Sequence, residues 1–179
     1  EKAIELDPKD AYVHGKLGRV YLEQKNIDLA EQYLLISAVS DPEDVDVAHD
    51  LARICIIRGE FEKAAPFLSR AIESYSSTLD GRLELWGTYL RFKLRSLQIE
   101  SEQLQRGRKI KVPGLGALLQ VFERACLKMI GEAPREARTY VMLGEVLVEE
   151  EKFSEALSVW RQGLNVMVTL IEQEREDAA

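Results

Sequence analysis

The chain is poor in the side chains that most protein chemistry depends on. Its 179 residues include two cysteines and two histidines. A zinc site takes about four ligands at characteristic spacing, and His14, His49, Cys55 and Cys126 lie singly in separate helical patterns. Two cysteines in apolar surroundings do not make a disulfide framework and are expected as buried free thiols. No phosphate-cradling G-x-x-x-x-G-K-S/T or G-x-G-x-x-G motif is present, and Gly114-Leu115-Gly116 is expected only to start a helix. Acidic pairs such as Asp44/Asp46 and the run Glu149–Glu151 fall at helix ends and turns. No catalytic constellation emerges, so a non-enzymatic protein with no cofactor and no metal is expected. No apolar run approaches the roughly 18 residues of a membrane span. The opening residues, EKAIELDP, lack the pattern of a secretory signal, and no Asn-x-Ser/Thr acceptor occurs. A formal net charge of −7 argues against whole-surface binding to nucleic acid or membrane. Together these absences predict an intracellular protein, cytoplasmic or nuclear.

What the chain does have is a repeat. Leu17, Gly18, Tyr21, Ala30 and Ser37 recur thirty-four residues later as Leu51, Ala52, Cys55, Ala64 and Ala71. Leu85 and Tyr89 repeat Leu17 and Tyr21 after a second such interval. A fixed period of this length marks a stack of helical hairpins, each burying its apolar face on the next. Apolar spacing predicts helices over 11–23 and 27–39, 45–57 and the following stretch from Phe61, 79–105 and 115–131, then a hairpin from Tyr140. Val13, Leu17, Val20 and Tyr21 are expected inward on the first helix, and Phe153, Ala156, Leu157, Trp160, Gly163, Leu164 and Met167 mark the face of the last. Asp10 and Asn26 are placed to cap helix N-termini, Gly59 to take a left-handed C-terminal turn, and Pro66 to sit near a first turn. The tail EQEREDAA is expected to fray.

The register divides the chain into a leading second helix (1–8), units at 11–44 and 45–78, a divergent unit at 79–136 and a last unit at 137–179. Because the first stretch lacks its partner helix, a fragment of a longer repeat protein is expected. The divergent unit carries about twenty extra residues between its helices, about 98–117, and four more in its closing loop. Arg106, Arg108, Lys109 and Lys111 give this insertion a local basic cluster. The insertion is expected to be removable without loss of the other helices. Leu94, Leu97, Ile99 and Leu104 are either a docking surface or pack back on Ile110 and Val112.

The combination resembles the tetratricopeptide repeat family. Its Leu-Gly or Leu-Ala pair appears as Leu17-Gly18, Leu51-Ala52 and Leu143-Gly144. Its tyrosine one turn later appears as Tyr21, the small residues of its second helix as Ala30, Ala64 and Ala156, and its closing proline as Pro8 and Pro42. The divergent unit has Trp86 where a small residue is usual. With Tyr89, Phe92 and the run Val121–Ala125 it is similar to the half-a-tetratricopeptide variant found largely in RNA-processing scaffolds. The resemblance implies an all-α, right-handed solenoid of antiparallel helix pairs that binds a protein segment in its concave groove, as part of a multiprotein assembly. The groove residues it implies include Tyr12, Arg19, Leu22, His49, Arg53, Ile56, Ile57, Leu90 and Arg91. The arginines would meet a carboxylate or phosphate, or else pair with Asp46 and Glu23, and the apolar residues would take anchors. The carboxylate clamp of chaperone-binding members is not implied, since Gly15, Arg19, Asp80 and Glu84 stand in its places. The alternative partner is RNA, through the basic insertion.

Overall fold

The computed structural model describes residues 10–75, 79–107 and 112–178. Among these residues all regular structure is helical, in the order α1 (Ala11–Glu23), α2 (Ile27–Ser40), α3 (Val45–Arg58), α4 (Phe61–Tyr75), α5 (Leu79–Gln105), α6 (Leu115–Glu132), α7 (Ala137–Glu149) and α8 (Phe153–Asp177). The fold is an all-α solenoid of antiparallel helix pairs. Its residues sort into two compact units. The first takes the chain to Ser74 together with Leu90–Gly114, and the second takes Tyr75–Tyr89 together with Leu115 onward. Lys109 and Lys111, with Arg108 and Ile110, lie outside the described residues, as does the leading stretch 1–8.

In the first unit, helix starts are fixed by short polar side chains. Asp10 accepts from the Val13 amide at 3.1 Å, Asn26 from Leu29 at 3.4 Å, and Asp44 from Asp46 and Val47 at 2.9 and 3.1 Å. Each satisfies amides that have no partner within the helix. The core is formed by Leu22, Ala30, Leu34, Val47, Leu51 and Ile54, with Tyr21, Ile27, Ala38 and Phe67 packed against it. On α1 the buried residues are His14, Gly18 and Leu22, while Val20 is 50% exposed. The inward face is thus turned about one residue from the one the spacing predicted, because Leu22 packs towards α3. Pro66 lies inside α4 rather than in its first turn.

The far half of α5 belongs to this unit. Phe92 is fully buried and meets Phe61 edge-on at 5.1 Å. Ile99 lies against Gly59, whose φ of 76° forms the left-handed C-cap of α3. Gly114, at φ 74°, abuts the backbone of Phe61 and Glu62, where any side chain would collide. The segment expected as a removable insertion therefore folds back on the α3–α4 turn. Ile99 packs there, while Leu94, Leu97 and Leu104 are exposed.

In the second unit, Tyr89 is fully buried, edge-on to Phe122 at 5.1 Å and beside Trp86 at 6.2 Å. Two reciprocal close approaches set the α7–α8 crossing. A Cβ on Gly144 would strike the Trp160 indole, and one on Gly163 would meet Tyr140 Cβ at 2.8 Å. Lys152 bridges the α7–α8 turn to α6, with Nζ 3.0 Å from Glu123 and 2.8 Å from Glu150. Those two carboxylates, Glu150 first, hold its ammonium protonated well above the usual range. α8 remains helical to Asp177, so the polar tail extends the helix instead of fraying. Only Ala156 and Gly163 are buried on it. Of the face expected for it, Ala156 and Gly163 are buried and Trp160 packs on Gly144. Phe153, Leu157, Leu164 and Met167 are 47–60% exposed, because α7 is met by the narrower stripe of Trp160 and Gly163.

Candidate partner groove

The predicted groove residues all fall in the first unit, and burial separates them into two groups. Leu22 (6% exposed), His49 (3%) and Ile56 (1%) are interior. Leu22 is part of the core cluster. Ile56 therefore already has its cover within the chain and offers no anchor point, contrary to the groove role expected of it. Tyr12 (69%), Ile57 (41%) and Leu90 (45%) are exposed, and Arg91 is exposed beside Leu90 on α5.

Tyr12 and Arg19 on α1 meet α3 around a shallow open depression of about 360 Å³, completed by Gly15, Lys16, Asp44, Asp46 and Val47. Lys16 Nζ sits 5.1 Å from the Tyr12 ring centre, a cation–π contact between two residues that line the depression. Arg19 reaches across to α3, its Nε donating to Asp50 Oδ2 at 2.9 Å and its Nη2 lying 3.5 Å from Asp46. The other oxygen of Asp50 accepts from Arg53 Nη1 at 3.0 Å.

Asp50 is thus the organiser of the site, and sequence reasoning passed over it. It is 2% exposed and bridges two guanidinium groups from neighbouring first helices. A buried carboxylate is tolerated only when its charge is met this way. The available signal was the Asp50–Arg53 spacing on one helical face, which pairs by local geometry. Of the two roles expected for the arginines, the pairing with carboxylates is realised by Asp46 and Asp50, and Glu23 takes no part in the bonds seen. The Nε of Arg53 is buried without a hydrogen-bond partner.

Of the basic insertion, only Arg106 is described, exposed in the turn after α5. Among the described residues there is no cluster of three or more His, Cys, Asp or Glu able to hold a metal, and no helix long and apolar enough to cross a membrane. Both cysteines are free and buried. Burial, with help from Glu60 and Glu31, pushes the Cys55 thiol up to about 11, and burial pushes Cys126 up further.

Comparison with known proteins agrees with this architecture. The tetratricopeptide repeat family model matches residues 1–32. No curated protein matches the sequence. Among solved structures, two crystal structures of MamA superpose with TM-scores of 0.61 and 0.63. They are 19% and 18% identical, cover 96% of this chain in each case, and are themselves covered to 86% and 80%. A third MamA structure, from MSR-1, gives a TM-score of 0.55 at 16% identity over 91% of this chain and 80% of that one. At these identities the likeness establishes the fold. The chain is thus similar to the tetratricopeptide repeat family by sequence over residues 1–32, and to the MamA structures in fold.

Proposed function

We propose that this chain is a non-enzymatic scaffold that holds a partner protein segment along the α1–α3 face of its first unit, within a larger assembly. The observation that carries the reading is the depression at Tyr12, Arg19 and Asp46, with exposed Ile57 one turn beyond Arg53. Apolar anchors flank a polar centre whose two arginines and two aspartates balance in charge. Such a wall suits an extended or helical segment that supplies apolar side chains and a few hydrogen bonds. It does not favour a strongly acidic ligand, because the arginine charge is already met. The compartment that fits is cytoplasm or nucleus.

A displayed library of random peptides, selected on the whole chain, tests this. Selected peptides should bind the wild-type chain and lose at least about tenfold in affinity with Ile57→Asp or Tyr12→Ala, the loss expected of a central apolar contact. Peptides whose binding ignores both changes would refute the groove. The competing reading, RNA bound through Arg106, Arg108, Lys109 and Lys111, has its own arm. Binding of single-stranded RNA that falls steeply with salt and vanishes when those four cations are neutralised would replace the groove as the principal surface.

A further inference from the structure

α5 is 27 residues long, against 13 or 14 for α1, α3 and α7. Its far half uses one face to pack in the first unit, through buried Phe92 and Ser96 and through Ile99. The opposite face carries Leu90, Leu94, Leu97 and Leu104, which are 45, 63, 54 and 61% exposed. Single exposed leucines are ordinary, but a leucine stripe along one helix is not. The spacing is that of a heptad seam, with Leu90, Leu97 and Leu104 at one core position and Leu94 and Ser101 at the other. Leu83 continues the seven-residue spacing backwards in the sequence.

The charges beside the seam are ordered. Arg91 and Lys93 flank its first part, and Glu100 its last. The helix macrodipole acts on the first and last turns, so it does not account for this order. The order suits a neighbour running the opposite way.

We propose that α5 pairs antiparallel with α5 of a second copy of this chain. In one register Leu94 of each copy packs against Leu97 of the other, Leu90 fills the space over the smaller Ser101, and Lys93 faces Glu100 on both sides of the two-fold axis. Sliding by a heptad sets Lys93 against Lys93 or Glu100 against Glu100. A parallel pair sets Lys93 against Gln98 and Glu100 against Gln105, and gains neither ion pair. Flanking charges of this kind determine orientation and register in helical pairs. The stripe shares none of the residues that line the α1–α3 depression.

Sedimentation equilibrium of the whole chain, over concentrations up to about 200 μM, reads association into the weak range. A monomer–dimer equilibrium is expected, and Leu94→Lys should weaken it at least about tenfold. Leu94 is exposed, so circular dichroism should show the fold unchanged. Lys93→Glu and Glu100→Lys should each weaken the dimer, and the double variant should restore it. A chain that stays monomeric throughout, or a dimer indifferent to Leu94→Lys, would overturn the proposal. So would a dimer that both single reversals leave intact, because a parallel pair or another surface would then hold it. Binding of a foreign amphipathic helix to the stripe, without any dimer, would overturn it equally.

Discussion

Four residues that follow the first helix of a hairpin share an unusual backbone: Lys25, Gly59, Gly107 and Glu151 have φ of 61°, 76°, 62° and 61°. Lys25 and Gly59 are thirty-four residues apart, so the left-handed turn recurs with the period of the sequence. A left-handed residue other than glycine costs about 1–2 kcal/mol, part of which glycine returns through its larger loss of entropy on folding. Lys25→Gly and Glu151→Gly are therefore expected to stabilise by about 0.5–1 kcal/mol each, visible as a higher midpoint in thermal or urea unfolding. Buried thiols give a second residue-scale prediction. Cys55 is raised in the fold to about 11 from 9.0. The folded state thus keeps a proton that the unfolded chain releases first. Its contribution is fully present below pH 9 and is lost as pH climbs towards 11. Cys126 and Tyr89, both raised chiefly by burial, act in the same direction. Unfolding followed from pH 8 to 11 should show falling stability, with a shallower slope for Cys55→Ala.

Between elements, the tightest crossing is α7 on α8. Gly144→Leu would drive a side chain into the Trp160 indole, whose Nε1 donates to the Val141 carbonyl at 3.4 Å. Overpacking of this kind is expected to cost about 1–3 kcal/mol, and Ala64→Leu at a fully buried site the same, measured by urea unfolding. Helix positions were legible in the sequence because period, caps and turn residues all point the same way. α1 and α5 begin and end where the apolar spacing and loop residues predict, and Asp10, Asn26 and Gly59 take the roles their chemistry suggests. Helix orientation was less legible. Periodicity marks a stripe, but which edge of the stripe is covered depends on neighbours distant in sequence. Val20, Phe153 and Leu157 therefore lie outside, while Leu22 and Ile56 lie inside. The candidate site was half legible for the same reason. Tyr12, Arg19 and Arg53 followed from the resemblance, but the group that organises the arginines, Asp50, is an interior charge, and no single-sequence pattern reports burial.

At the scale of the whole molecule, the two compact units do not follow one another along the chain. Leu90–Gly114 returns to the first unit after Tyr75–Tyr89 has entered the second. Deleting residues 98–114 with a short turn in their place should remove Ile99 and Gly114 from the α3–α4 turn. Hydrogen exchange read peptide by peptide is expected to show lost protection at 54–64 and little change at 137–164. Equal loss in both stretches would mean that the deletion unfolds the chain as one.

The return of α5 to Phe61 and Gly59 also governs the order of assembly. Contacts within a repeat join residues close in sequence, and such arrays fold by local steps. Here Gly59 awaits Ile99, and Phe61 awaits both Phe92 and Gly114. During synthesis the first unit cannot close until Gly114 has left the ribosome, by which time the first residues of the second unit already exist. No single cut between residues 75 and 114 separates the units whole, and a protease acting there would divide one of them from part of itself.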